Sequence, residues 1–455
     1  MMTLEKEAKI MDFTLLESLL ESKDFFKLKR ELSEMQLADI AEFLDQLDGK
    51  TVLLVFRLLP KEKAADVFSY LSNDQQKQIC VLVNDQELAQ LVDELDFDDK
   101  IDLIEEMPAN AVKKILKNAT ETERKLINQF LNYPERSAGS LMTIEFVDIK
   151  KEMTVKEALH RIRSLGFNKD TIYTCYVITA TRVLEGIVEL KDLVLAPGDQ
   201  KIQDLMETGV VFVGTHDDQE DVADVFKKYD LLSVPVVDNE QRLVGIITID
   251  DIVDVMEQEA TEDFHRMAAI EPSDEVYLDT SIFILARRRI IWLLVLMVSA
   301  TFTGMILSKY EAALESVVAL TFFIPMLMDT GGNAGSQAST LVIRSLTLGE
   351  IEYKDFWKVL CKEVGVSMIV GFILAALNFI RIRFVQGYSL GISLTVTVTL
   401  FFTVLLAKVV GGLLPIVAKK LKFDPAIMAS PLITTIVDTF SLLIYFGVAS
   451  WILGI

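Results

Sequence analysis

Across residues 1–136 apolar positions recur at intervals of three and four, as in Val52, Phe56 and Leu59 or Ile101 and Ile104, the spacing of an amphipathic helix. Two marks share one offset. LDQLD at 44–48 returns as VDELD at 92–96, and Leu59-Pro60 returns as Met107-Pro108, each displaced by 48 residues. A shared offset predicts a repeat, read as helical pairs in a short solenoid, with residues 12–132 all helix. From about 137 to 256 the pattern changes to short apolar runs alternating with amphipathic helices, so strands enter. This region is duplicated too. SLMTIEFVDIKKEMTVKEALHRI is followed by DLMETGVVFVGTHDDQEDVADVF, and LEGIVELKDLV by LVGIITIDDIV, which carries Gly186 to Gly245 and Asp192 to Asp251 by one common offset. Each unit reads as a hairpin strand ending in Gly and leading to an Asp that caps the next helix.

An acidic helical segment then leads up to Arg287, and long apolar runs follow. A spanning helix needs roughly 20 largely apolar residues. Five candidates are present: Ile290–Leu307, Val317 to about Ile343 with a Gly-rich interruption, Val364–Ile380, Tyr388–Ala418 and Ala426–Ile455. Arg287, Arg288, Arg289, Arg344, Lys354, Lys358, Lys362, Lys419, Lys420 and Lys422 fall on one side of such a bundle, and Lys309, Arg381 and Arg383 on the other. Lys/Arg-rich loops stay in the cytoplasm, which places the N-terminal region inside a cell membrane and the C-terminus outside. The fold class expected is a multidomain membrane protein. It comprises an all-α helical repeat (1–136), a tandem α/β pair (137–198 and 199–256), a connecting helix (257–286) and a five-helix transmembrane bundle (287–455).

Charge sharpens this division. Residues 281–455 hold 14 Lys+Arg against 9 Asp+Glu, leaving 31 against 58 over positions 1–280, a net −27. A field this negative favours cations and disfavours nucleic acid as partners; the plainer reading is a solvated acidic surface. Cys80, Cys175 and Cys361 lie far apart, which fits a reducing compartment. The N-terminus, MMTLEKEAKIMDF, alternates charge with apolar residues and lacks a signal-peptide pattern. No phosphate loop, Zn spacing or nucleophile constellation is present, so no enzyme is expected.

Charge inside a membrane is where function concentrates, because it is costly there. Asp438 lies well inside the last span, in AIMASPLITTIVDTFSLLIYF, and helical spacing puts Ser430 or Pro431, Thr434 or Thr435, and Asp438 on one stripe. That stripe reads as a pore lining with a carboxylate, or as a packing face whose Asp pairs with Lys408 of the fourth span. In the second span, FIPMLMDTGGNAGSQAST, Pro325, Gly331, Gly332 and Gly335 weaken the helix while Asp329, Asn333, Ser336 and Gln337 add polarity. This reads as irregular backbone beside a watery cavity, or as a close glycine-mediated helix contact. Before the spans, Asp251, Asp254, Glu259, Glu262 and Asp263 cluster on one side of a helix, where unpaired like charges repel and a metal ion would relieve them.

The duplicated units resemble cystathionine-beta-synthase (CBS) domains. The acidic helical repeat, this pair, the acidic connecting helix, five spans, GGNAGSQ and DPAIMASPLITTIVD together resemble the MgtE family of Mg2+ channels and transporters over nearly the whole chain. That resemblance implies a homodimer with its pore between subunits, gated by cytosolic Mg2+. It implies Asp438 as the pore carboxylate, with Asn333, Asp424 and Thr434 as pore-mouth or lining neighbours and Ser430 beside them. For the Mg2+ sensor it implies Asp66, Asp98 and Asp102, Glu220 and Asp230, and Asp251, Asp254, Glu259, Glu262 and Asp263. Such pairs in other families often bind adenine nucleotides, so ATP at this pair is an open reading. The chemistry agrees with a hard ion: His160, His216 and His265 are scattered and outside the membrane half, and no Cys accompanies Asp438 in its span. The rival readings are a transporter of Mn2+ or Co2+, a CBS-regulated anion channel, and a membrane-anchored nucleotide sensor.

Overall fold

The computed structural model describes residues 13–166, 169–273, 277–278, 280–428 and 430–454. They form two compact units, Met1–Met256 and Glu257–Ile455.

The first unit opens with ten helices among its described residues: α1 (Thr14–Glu21), α2 (Phe25–Glu34), α3 (Leu37–Asp45), α4 (Gly49–Phe56), α5 (Lys61–Ser69), α6 (Asn73–Leu82), α7 (Asp85–Glu94), α8 (Phe97–Glu106), α9 (Ala109–Asn118) and α10 (Glu121–Phe130). From α3 onward each begins twelve residues after the last, behind a cap residue (Gln36, Asp48, Pro60, Ser72, Asn84, Asp96, Pro108, Thr120) whose ψ lies between 142° and 166°. The 48-residue offset is therefore four helices rather than a helical pair. Apolar spacing runs on through such breaks; only the caps mark them. Asn84 and Thr120 each form a full capping box, with Glu87 and Glu123. Alternate helices pack together, α3 on α5, α5 on α7, α7 on α9 and α4 on α6. Leu28, Leu32, Ile40, Phe43 and Leu44 are fully enclosed, each contributing about 1.5–3 kcal/mol by leaving water.

Two like-built α/β units follow a short helix α11 (Ala138–Leu141). In the first, β1 (Val147–Ile149) runs parallel to β2 (Thr174–Ile178) across α12 (Val155–Leu165), and β2 pairs antiparallel with β3 (Leu184–Glu189), which feeds α13 (Leu190–Leu195). In the second, β4 (Val213–Gly214), α14 (Gln219–Tyr229), β5 (Ser233–Val237) and β6 (Leu243–Thr248) repeat this order and feed α15 (Ile249–Met267). Gly186 and Gly245 sit inside β3 and β6 rather than at strand ends. A Cβ on Gly186 would meet the Glu207 carbonyl at 2.7 Å, and one on Gly245 the Thr143 carbonyl at 2.8 Å, where another backbone segment pairs with each strand. Asp192 and Asp251 are likewise first-turn residues, not caps. The Tyr176 hydroxyl meets Ser233 Oγ at 2.8 Å between the two sheets.

α15 continues without a break to Met267, and the chain then leaves the helix at Ala269, whose φ is 53°. The connecting helix expected over 257–286 thus ends early, with Pro272 following. The second unit then holds α16 (Ile282–Lys309), α17 (Glu311–Ser316), α18 (Ile324–Thr347), α19 (Phe356–Ile380), α20 (Leu390–Lys420) and α21 (Ser430–Leu453). Among the described residues four stretches are long and apolar enough to cross a membrane: Ile282–Lys309, Tyr353–Val385, Leu390–Lys420 and Pro425–Leu453. α18 is helical over 24 residues but more polar. Its glycines do not interrupt it; the break lies earlier, between Tyr310 and Ile324, and Pro325 falls in the first turn where its missing N–H costs nothing. The glycines instead admit neighbours. A Cβ on Gly331 would meet Thr403 at 2.7 Å, one on Gly332 the Thr434 methyl at 2.9 Å, one on Gly335 Ile433 at 2.7 Å, and one on Gly411 would overlap the Gly335 carbonyl. α18 is thus held between α20 and α21 by small residues.

Candidate cation sites

In the first unit, carboxylates gather where α8, the segments before β1 and β2, and the start of α15 meet. α8 brings Asp96 as its N-cap residue and Asp98 and Asp99 in its first turn. Glu145 precedes β1, Asp170 precedes β2, and Asp250 and Asp251 open α15. A helix N-terminus favours acids by itself; here two acid-bearing N-termini act on one another. Burial pushes Asp98 up to about 6, with Asp96 and Asp250 adding to it. Burial and then Asp98 and Asp96 push Asp99 up to about 7. Burial, Asp98 and Asp250 push Asp251 up to about 8, against the Thr248 hydroxyl, which donates to its Oδ2 at 3.0 Å. Asp170, pushed up to about 7 by partial burial and then by Asp98, Asp250, Asp96 and Glu145, keeps an exposed edge.

Opposing charge comes from Lys100, itself 3.5 Å from Glu123, and from Lys169. Asp98 Oδ1 is buried with no hydrogen-bond partner. The donor set is all oxygen, which suits a hard divalent ion. Among the described residues no three His, Cys, Asp or Glu side chains converge closely enough to chelate a metal. Mg2+ keeps several of its waters and needs only one or two carboxylates, so the spacing still fits a hydrated ion.

Of the residues singled out in the sequence, Asp98 and Asp251 fall in this cluster, and Asp102 acts on Asp99 from the next turn of α8. Asp66 lies one turn before Ser69, whose hydroxyl donates to the Asp66 carbonyl at 2.9 Å and lies close enough to Asp99 to oppose its rise. Asp254 is an exposed residue of α15, one turn beyond Asp250. Glu220 and Asp230 stand at opposite ends of α14, Asp230 closing it at φ 52°; about 15 Å of helix separates them. They do not meet within one chain. Asp96, Asp99, Glu145, Asp170 and Asp250 escaped the sequence reading. Asp96, Asp99 and Asp250 adjoin or neighbour chosen acids, but Glu145 and Asp170 arrive from distant segments with no local signal.

A second acidic group lies in the other unit, at the end of α15. Glu262 is buried and Asp263 half-buried. Asp263 Oδ2 accepts from the Thr347 hydroxyl at 3.5 Å, at the last residue of α18, and burial followed by Glu259 raises it above the usual carboxylate range. Arg266 pairs with Glu262 on its own helix and with Asp424, in the loop before α21. Asp424 is in turn fixed by the Ala426 N–H, which donates to its Oδ1 at 2.7 Å.

Within the bundle, Asp438 is partly buried on α21, and among the described residues no charged side chain reaches it. Lys408, 6 % exposed on α20, instead meets the charge of Glu363 on α19. The pairing of Lys408 with Asp438 weighed from sequence is therefore not formed. Thr434 and Thr435 both donate to the Pro431 carbonyl, at 2.9 and 3.0 Å. Ser430 is the first residue of α21. Asn333 is exposed on α18, in line with Asp329, Gln337, Thr340 and Arg344, all exposed in the single chain. These positions recur at helical spacing, so one face of an otherwise packed helix is polar.

Fold and sites together define a multi-pass membrane protein that carries an acidic, cation-attracting region on the same chain. Family models for a divalent cation transporter, for the MgtE intracellular N domain and for a CBS domain match residues 324–448, 35–136 and 202–258. The magnesium transporter MgtE of Thermus thermophilus is 37 % identical over 444 residues, 96 % of this chain and 98 % of that one. The magnesium transporter MgtE of Bacillus subtilis is 35 % identical, covering 92 % and 95 %. The chain belongs to the MgtE family. Among solved structures, the cytosolic domain of the Mg2+ channel MgtE in complex with ATP aligns at a TM-score of 0.51 and 35 % identity, over 53 % of this chain and 98 % of that one. The soluble part of a magnesium transporter aligns at 0.51 and 30 %, over 55 % and 98 %.

Proposed function

We propose that this protein carries Mg2+ across the cell membrane through a pore lined by α18 and α21, and that Mg2+ bound on the inner side closes that pore. The observation that carries the reading is Asp438, a carboxylate within an apolar helix with no cationic partner among the described residues, beside a helix whose exposed face is polar. A lipid-facing polar stripe is unfavourable; the same stripe is favourable against water and a hydrated cation. It also explains why α18 fails the apolarity of a spanning helix while supplying the fifth crossing. Without that crossing Arg344, Lys354, Lys358 and Lys362 move to the outer side, against the Lys/Arg rule. Five crossings leave the N-terminal unit in the cytoplasm and the C-terminus outside.

A second copy of the chain completes the pore. Asp438 from each of two subunits, with Asn333, Thr434 and Ser430 nearby, holds a hydrated ion and rejects anions. Support comes from α16 as well, which has no buried side chain in the single chain and so has surface for lipid and a partner. In the N-terminal unit, Asp98, Asp99 and Asp251 with their neighbours form the sensor, joined by Asp66, Asp102, Asp254, Glu220 and Asp230; at the membrane, Glu259, Glu262 and Asp263 of α15 bind the same ion near Asp424. The ATP complex of a relative's cytosolic domain supports an adenine nucleotide at the CBS pair here.

Reconstituted vesicles test this reading. Uptake of Mg2+ should exceed that of Mn2+ and Co2+ and far exceed that of Cl−, and should fall as Mg2+ on the side bearing the N-terminal unit rises. Equal Mn2+ and Mg2+ fluxes would sink the selectivity assigned here, and a Cl− flux would sink the cation pore.

A further inference from the structure

We propose that Arg266 acts as a built-in cation that holds the end of α15 to the pore mouth without metal, and so sets how much Mg2+ closure requires. The inference deepens the gating reading above and rests on it. Five charged groups meet at this place: Glu259, Glu262 and Asp263 from α15, Asp424 from the loop before α21, and Arg266. Arg266 is the cation among them that the structure shows in contact with both elements. Its guanidinium pairs with Glu262, whose side chain is 8 % exposed, and with Asp424, whose side chain is 23 % exposed.

Replacing the two carboxylates' water with one another would be repulsive; a planar guanidinium, with donors on both sides, bridges them and satisfies both. The far acceptor is fixed in place, since the Ala426 N–H donates to Asp424 Oδ1. One turn away Asp263 accepts from Thr347, so α15 touches the ends of both α18 and the segment that opens α21. Glu259 adds to the negative charge at Asp263, whose carboxyl it raises. A divalent ion completes the contact there, but the first link is already covalently attached to α15. Closure in this chain therefore needs less Mg2+ than the same four acids alone would need.

The test is Mg2+ flux in proteoliposomes of full-length wild type, R266Q and R266K, with Mg2+ varied on the side of the N-terminal unit. R266Q should raise flux at the lowest Mg2+ and move the half-closing Mg2+ concentration up about tenfold, the scale of one charge-assisted link. R266K keeps the charge but not the fork, so its midpoint should fall between the two. A wild-type midpoint in R266Q overturns the proposal. Should R266Q fail to fold, R266K decides, and a midpoint equal to wild type overturns the bridge. A wild type indifferent to Mg2+ with R266Q still raising flux sinks the gating reading and leaves the tether standing.

Discussion

The two units solve opposite solvent problems with different residues. In the first, water drives Leu, Ile and Phe together, and the helices meet through large side chains such as Phe43, Phe68 and Phe226. In the second, lipid is as apolar as leucine, so burying leucine gains little, and α18, α20 and α21 meet through Gly331, Gly332, Gly335 and Gly411 instead. Their charges contrast in the same way. The first unit crowds carboxylates whose burial and mutual repulsion push Asp99 up to about 7 and Asp251 up to about 8; the second carries Asp438 alone on its helix. In the function proposed above, crowded acids serve as the sensor, because their mutual repulsion changes when a cation binds, and an isolated acid in an apolar wall serves as the selective passage.

The contrast is most exposed at Asp438. Asp438→Ala should reduce Mg2+ uptake to the level of protein-free vesicles, and uptake at the wild-type rate would falsify its assignment to the pore. Packing comes next. Phe43→Ala should destabilise the N-terminal unit by about 3–5 kcal/mol through a cavity, whereas Gly411→Ala should cost the bundle about 1–3 kcal/mol by overpacking against the Gly335 carbonyl. Thermal unfolding of the full chain in detergent checks both; a bundle insensitive to Gly411→Ala breaks the distinction between the two packing modes.

The sensor comparison is sharpened by joining Asp98→Asn to Asp251→Asn. Protection of the N-terminal unit from limited proteolysis should then need at least about tenfold more Mg2+, since each lost charged ligand is on that scale. Protection at the unchanged concentration removes these two residues from the site. The smallest effect expected is in pH. Folded pKa values of about 6, 7 and 8 for Asp98, Asp99 and Asp251 lie above the usual 3.8. The folded state thus binds more protons, and the stability these groups allow is full below about pH 4 and lost as pH rises to about 8. In chelator the melting temperature should fall across that window, and Mg2+ should flatten the fall. A melting temperature that rises from about pH 5 to about pH 8 in chelator would show that these acids are not crowded.

Much of this was legible in the chain itself, where elements are written locally. Apolar periodicity marked the helical region but not its breaks, the two shared offsets exposed both repeats, and length with hydropathy identified four of the five expected spans. Asp438 was legible because a charge within an apolar run stands out whatever surrounds it, and so was the excess of acid ahead of the first span. What each acid faces was not legible. Glu145 and Asp170 join Asp98 and Asp251 because separate segments end at one place; Lys408 meets Glu363 rather than Asp438 because α19 lies against α20. Arg266 meets Asp424 because the end of α15 lies against the loop before α21. Local pattern fixes an element because neighbouring residues share its backbone; partnership between charges depends on which elements meet in space, and only the tertiary structure decides that.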